Sequence, residues 1–229
     1  MKVVALISGG KDSCYNMMCC KTNGHEVVCL GNLFPGQTHE IDSYMYQSVG
    51  HEGIKMIAEA INLPLFRQEI SGKPKSIEMP YVFDESDEVE DLYTLLKTIQ
   101  EKFPDVRGVS VGAINSTYQK ERVENVCARL NLTPLCYLWE RNQLELFDEM
   151  QTSRNDLQQM REHLIDMHNK YGSHICGEGG EFETFVVDCP LYNTRISIDH
   201  SEVVIHGADQ NIAPVAYLKL TELSLKQKE

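Results

Sequence analysis

The run Val3-Val4-Ala5-Leu6-Ile7 breaks at Ser8-Gly9-Gly10 and passes at once into residues 11–22, where Cys14, Met17, Met18 and Lys21 fall at helical spacing. A short apolar strand feeding a helix through a glycine turn commits the chain to α/β architecture. The same turn aims free backbone N–H groups and the positive end of a helix dipole at one spot, which suits an anion. Gly9 and Gly10 let the backbone approach closely, Ser8 and Ser13 add hydroxyl donors, and Lys11 adds a mobile positive charge, so pyrophosphate is the natural guest. It is not a Walker loop, because no glycine stands five positions before Gly10 and Asp12 occupies the place of the metal-binding hydroxyl. A carboxylate at Asp12 would repel phosphate unless a divalent cation lay between them, which implies Mg²⁺. The plainer alternative is a glycine turn with Asp12 near the helix start.

Strand and helix patterns keep alternating. Residues 27–33 and 65–70 read as strands, 43–63 as one long helix, 87–103 as an acidic-started helix and 108–113 as a buried strand. Such repetition implies a parallel sheet covered on both faces. Beyond Tyr118 we expect a helix over 119–130, a strand over 134–138, a polar helix from 144 to 171, and an antiparallel pair over 195–205 and 215–225. The expected organisation is a nucleotide-binding domain over 1–112 followed by a smaller α+β substrate domain over 113–229. Residues 84–91 hold six acids in eight positions and read as a solvated loop and helix start, or else as an interaction patch.

The 34 acids and 21 bases leave a net charge of −13, which disfavours direct binding to nucleic acid and favours a partner with a cationic group. No apolar run approaches the ~20 residues of a membrane span, and the start shows no cleavage pattern, so a cytosolic location with no membrane partner is expected. The eight cysteines are scattered with no Cys-x-x-Cys, so they read as reduced packing thiols.

Residues 8–13 resemble the pyrophosphate loop of the N-type ATP pyrophosphatases. Further along stand Asp42-Ser43-Tyr44-Met45-Tyr46-Gln47, Glu88-Val89-Glu90-Asp91-Leu92-Tyr93, Gly108-Val109-Ser110-Val111-Gly112-Ala113-Ile114, Arg122-Val123-Glu124-Asn125-Val126-Cys127 and Cys176-Gly177-Glu178-Gly179-Gly180-Glu181-Phe182-Glu183-Thr184. Together these resemble the diphthine-ammonia ligase (diphthamide synthase) family. The resemblance implies a Rossmann-like sheet of the PP-loop/HUP type and an AMP-forming carbon–nitrogen ligase. It would use ATP and ammonium to amidate diphthine, a trimethylated and carboxylated histidine on elongation factor 2, through an acyl-adenylate. Ser8, Gly9, Gly10, Lys11, Asp12, Ser13, Leu33 and Gly112 would hold ATP, with Lys11 and Asp12 catalytic and Asp12 on the metal.

A quaternary ammonium accepts no hydrogen bonds and is held by carboxylates or aromatic faces. Glu178, Glu181 and Glu183, set among Gly179, Gly180 and Thr184 beside Phe182, offer that chemistry, or else face solvent, bind metal or orient ammonium. Tyr118, Gln119 and Arg122 follow a strand end, where α/β crevices form, and would complete the pocket, although Arg122 reads nearly as well as a helix-face salt bridge. Asp42, Tyr44 and Gln47 mark a pocket edge, with helix capping by Asp42 the alternative. No nucleophile elbow accompanies His174 and Cys176, so free ammonium is the expected donor. His51 and His174 are candidate proton acceptors, although lone histidines are usually structural. Two rivals remain open: a tRNA-modifying ligase on the same loop, and a nucleotide-binding module without turnover. The chain also departs from the family pattern between Met150 and Leu157, where roughly twenty residues of strand and loop are missing, which reads better as a loop left out than as a deletion.

Overall fold

A computed structural model describes residues 1–36, 43–75, 78–151, 158–206 and 215–228. Five strands, β1 (Lys2–Leu6), β2 (Glu26–Phe34), β3 (Leu65–Glu69), β4 (Val106–Ser110) and β5 (Thr133–Leu135), form a parallel sheet in the order β3-β2-β1-β4-β5. Val3, Val4 and Ala5 are all fully buried. Consecutive burial requires cover on both faces, which is why β1 reads as an unbroken apolar run.

The two covers are distinct. Helices α3 (Val89–Lys102) and α4 (Thr117–Arg129) lay Leu92, Leu96, Ile99, Val123 and Val126 against Val4, Cys29 and Val109. On the other face α1 (Lys11–Thr22) and α2 (Ile54–Ile61) bring Met17, Ile54 and Ile57 to Ala5, Ile7 and Leu30. Asn16, buried in α1, donates to Ser110 Oγ (2.7 Å) and the Leu135 carbonyl (2.8 Å) and accepts from Tyr137 N (2.8 Å). One side chain thereby ties α1 to β4 and to β5, and the sheet runs on past residue 112 through the β4–β5 pairing.

Beyond the sheet lie α5 (Gln143–Met150) and α6 (Gln158–Tyr171), then the antiparallel hairpin β6 (Thr194–His206) and β7 (Val215–Gln227). Leu146 and Phe147 of α5 pack with Ile114, Leu138, Ile175 and Cys176 in a third cluster. Ile196, Leu223 and Leu225 anchor the hairpin base on the α2 side of the sheet. The α/β class and the hairpin agree with expectation.

Three expectations need correction. The long helix over 43–63 is instead a turn at 43–50, a short 3₁₀ turn at His51–Gly53 and α2. Ser43 Oγ accepts from the amides of Met45 and Tyr46, and Gly50 sits at φ +81°, a left-handed conformation that stops a helix forming through it. The helix over 144–171 is α5 and α6, and residues 152–157, where the chain departs from the family pattern, lie outside the described residues. The acids of 84–91 are a solvated run only in part: Asp84 and Glu85 are exposed, but Asp87, Glu88 and Asp91 are buried. Asp91 accepts from Ser71 N (2.8 Å), Ser71 Oγ (2.8 Å) and Gly72 N (2.9 Å), and Glu90 forms a bidentate pair with Arg129 at 2.7 Å.

All eight cysteines are free thiols, and burial pushes Cys14, Cys29, Cys127 and Cys176 up to about 12. Such thiols stay protonated and inert, in keeping with packing roles. No helix among the described residues is long and apolar enough to cross a membrane.

Candidate active site

A cleft of about 410 Å³ opens at the C-terminal ends of β1, β2 and β4. The winding reverses there, because the chain steps from β1 out to β2 and β3 on one side and then crosses back to β4 on the other side of β1, which is where ligands settle in open α/β sheets. Ser8, Asp12, Ser13, Leu33, Tyr44, Gln47, Gly112, Gln119, Glu178, Gly179, Gly180 and Glu183 line it, so twelve of the sequence-derived candidates converge on one cavity.

The glycine turn is built for close approach. Gly9 lies at φ +93°, and a Cβ there would meet Ile54 Cδ1 at 3.1 Å and the Phe185 ring at 3.2 Å. At Gly112 a Cβ would stand 2.7 Å from the Ser13 amide nitrogen and 2.9 Å from the Asp12 carbonyl carbon. The end of β4 therefore needs glycine to let the first turn of α1 sit against it. Ser13 Oγ donates to the Gly10 carbonyl (3.0 Å) and lies 3.3 Å from the donating Ser8 amide, while Ser8 Oγ accepts from Gly10 N (3.3 Å) and donates to Gln47 Oε1 (3.1 Å). Gln47 Nε2 reaches the Thr184 carbonyl (3.2 Å) and so links this turn to the glutamate-rich segment.

That segment grips the helix start directly. Thr184 Oγ1 accepts from Lys11 N at 3.0 Å. The Lys11 ammonium lies 3.1 Å from Asp12 Oδ2, donates to the Cys176 carbonyl, and stands 5.0 Å over the Phe182 ring. Burial raises Asp12 above its ordinary value, Lys11 pulls it back, and the Glu178 charge adds to the rise. Asp12 Oδ1 is buried with no hydrogen-bond donor.

The three glutamates have different surroundings. Glu178 Oε1 accepts from the amides of Ile114 (3.1 Å), Asn115 (3.0 Å) and Ser116 (3.1 Å), in the turn that leads into α4. Glu181 accepts from His174 N (2.5 Å) and Gly179 N (2.8 Å); burial works against its charge, but these amides outweigh it and hold the carboxyl below its usual range. Both side chains shape the loop, while Glu183 stands exposed at the cleft rim. Burial lowers His174, whose Nδ1 accepts from Cys176 N at 3.2 Å.

Gln119 Nε2 donates to the Tyr44 and Met45 carbonyls (3.3 and 3.4 Å), and Tyr44 meets Tyr118 edge-on at 5.9 Å between ring centres. Arg122 does not reach the cleft lining. It is fully buried, stacked 3.5 Å over Tyr118 and 5.3 Å from Tyr81, and donates to the Tyr118 and Glu78 carbonyls at 3.4 Å. Asp42 lies outside the described residues.

Two contributors escape the sequence. Asn32 of β2 lines the cleft, donating to the Ile7 carbonyl (2.9 Å) and accepting from Arg67 Nε (2.8 Å). The Cys176 backbone carbonyl receives Lys11, an acceptor that any residue type could supply.

Comparison with known proteins matches residues 1–134 to the family described as Diphthamide synthase N-terminal domain and residues 143–213 to Diphthamide synthase C-terminal domain. A diphthine-ammonia ligase of Homo sapiens is 52% identical over 252 aligned residues, covering 100% of this chain and 94% of the relative. That of Danio rerio is 49% identical, covering 100% and 98%. That of Schizosaccharomyces pombe is 47% identical over 96% of this chain but 39% of its own length. Alignment with the human relative is longer than the 229 residues of this chain, so the chain is internally shorter. Among solved structures, a predicted subunit of tRNA methyltransferase from Methanocaldococcus jannaschii superposes with a TM-score of 0.37 at 15% identity, over 72% of this chain and 87% of that one.

Proposed function

Because the chain belongs to the diphthamide synthase family, we propose that its cleft activates the carboxylate of diphthine on elongation factor 2 with ATP and hands the acyl group to ammonia. The chain is a ligase, an ATP-using member of that family. The carboxylate oxygen attacks the α-phosphorus, pyrophosphate leaves, and ammonia then displaces AMP to give the amide.

One observation carries this assignment: the α1 N-terminus and the Gly177–Gly180 and Glu183 rim open onto the same cleft. Residues 8–13 hold the leaving pyrophosphate with backbone amides and hydroxyls, and Gly112 lets that helix start seat beside β4. Lys11, held by Asp12 and the Cys176 carbonyl, balances negative charge growing on the phosphates once its ammonium turns from that carbonyl to them, and β2 around Leu33 meets the adenine. Glu183 at the rim, together with Tyr44, faces the trimethylammonium, and Tyr118 supports Tyr44 from outside the lining; Gln47, Gln119 and Thr184 set the rim's shape. Glu178 and Glu181 act through the loop they brace, and Arg122 acts by stacking beneath Tyr118.

Asp12 fits Mg²⁺. Its buried Oδ1 lacks a donor, and Mg²⁺ ordinarily takes one or two carboxylates and fills its shell with phosphate oxygens and water. Among the described residues no cluster of three acids, histidines or cysteines competes for a metal. The ion would supply charge neutralisation at the phosphates. We assign nucleotide chiefly to residues 1–112 and acceptor chiefly to 113–229, with Tyr44 reaching across to the acceptor, free ammonium as donor, and the cytosol as the compartment, where eight reduced thiols persist.

Incubation with ATP, ammonium and diphthine-bearing elongation factor 2 tests the reading. AMP and amide should form in equal amounts; ADP as the nucleotide product, or AMP without amide, would overturn it.

A further inference from the structure

A second groove of about 790 Å³ adjoins the nucleotide cleft and shares Ser43, Tyr46, Gln47, Gly180 and Glu183 with it. Its far wall is the outer half of the β6–β7 hairpin. Two register shifts around His200 change the alternation of both strands, and the apolar face continues through them. Before the shifts Ile196 and Leu225 pack on the core; after them Val203 and Leu218, paired across the strands, face the groove. Bulges re-aim strands in this way, often beside sites. Val203 is 69% and Leu218 53% exposed, and Ile205 beside them is 55% exposed.

We infer that this hairpin face is the docking surface for the acceptor polypeptide around its modified side chain. The inference rests on the ligase reading above. The occupant follows from continuity: an acceptor side chain carried by a folded protein reaches the nucleotide cleft only if its flanking backbone lies over the neighbouring rim. The groove is the surface adjoining that rim. Charge agrees, because Glu183 lines both the groove and the cleft, at the point where a cationic side chain would cross from one to the other. The apolar wall takes the flanking chain, while the Glu183 rim takes its charged group.

The test is the double variant Val203→Asp with Leu218→Asp, both at exposed positions, with the melting temperature and ATP affinity measured alongside. The KM for diphthine-bearing elongation factor 2 should rise at least tenfold, while kcat at saturation and the KM for ATP stay within twofold. Calorimetric binding of that acceptor without nucleotide should weaken by the same factor. This arm stands even if the amide-forming reaction fails, which separates the two readings. Unchanged acceptor binding overturns the inference. So does an equal loss of ATP affinity or a lowered melting temperature, which would make the face structural. Concentration-dependent dimerisation of the wild type that the variant abolishes, with acceptor KM unmoved, would assign the face to a second copy and overturn it too.

Discussion

In the proposed function, Asp12 serves catalysis at the expense of the folded state. Its carboxylate sits at a helix start where phosphates and a cation belong, yet burial raises it above its ordinary value, with only Lys11 strongly opposing the rise. A raised value means that the folded chain holds this proton more tightly than the unfolded chain. That contribution to stability is complete below the unfolded value of about 3.9 and is lost as pH rises through the folded one. At neutral pH the charged side chain is therefore a cost. Asp12→Asn should reduce pyrophosphate release by on the order of 10²-fold or more, while the unfolding midpoint at neutral pH stays level or rises. The stability gain should vanish as pH falls below about 4, measured by thermal melts across pH. Near-normal pyrophosphate release would remove Asp12 from the mechanism.

At the scale of elements, the start of α3 acts as a hub that positions its neighbours. Asp87 Oδ1 accepts from Val89 N (3.0 Å) and Oδ2 from Lys75 N (3.1 Å); the Glu88 carbonyl accepts from Tyr46 Oη (3.1 Å), whose segment lines the cleft. Burial pushes the Glu88 carboxyl up to about 7, the Ser43 hydroxyl pulling the other way and the Asp87 charge adding to the rise. By the same sign argument, Glu88 contributes most when protonated, below about 4.3, and that contribution fades as pH climbs through 7. Glu88→Gln should therefore stabilise the fold at about pH 8, by at most on the order of 3 kcal/mol, and lose its advantage near pH 4. Denaturant titrations at the two pH values check this, and equal stabilities at pH 8 would contradict the buried charge.

The sequence could not show this hub. Six acids in eight residues look alike whether they face water or brace an interior, because what separates the cases is the set of amides brought in from Ser71, Gly72 and Lys75. The 43–63 stretch failed as one helix for a related reason, since Ser43 and Gly50 act through local turn geometry that apolar spacing does not register. The strand, glycine turn and helix over residues 2–22 were legible because their signals are local: the glycines are contiguous, and β1 and α1 need only their own periodicity. Contacts of Thr184, Cys176 and Gln47 with that turn span 39 to 173 positions, and only folding joins them.

For the whole molecule, the net charge of −13 acts on the nucleotide before any contact forms. Among the described residues the cleft lining includes Asp12, Glu178 and Glu183 and no lysine or arginine, since Lys11 is turned towards the Cys176 carbonyl. In the proposed site, a nucleotide arriving with its cation is still anionic and meets a repelling field outside and attraction only at hydrogen-bonding range. Salt shortens the reach of charge, from about 30 Å at 0.01 M to about 8 Å at 0.15 M, so it should weaken the repulsion more than the short-range grip of the α1 amides. The association rate constant for Mg-ATP should accordingly rise about two- to fivefold between ~0.02 and ~0.2 M salt, with dissociation little altered. Stopped-flow binding of a fluorescent ATP analogue measures both. An association rate that falls with salt would mean that the charge at Lys11, rather than the acidic surface around the cleft, governs how the nucleotide arrives.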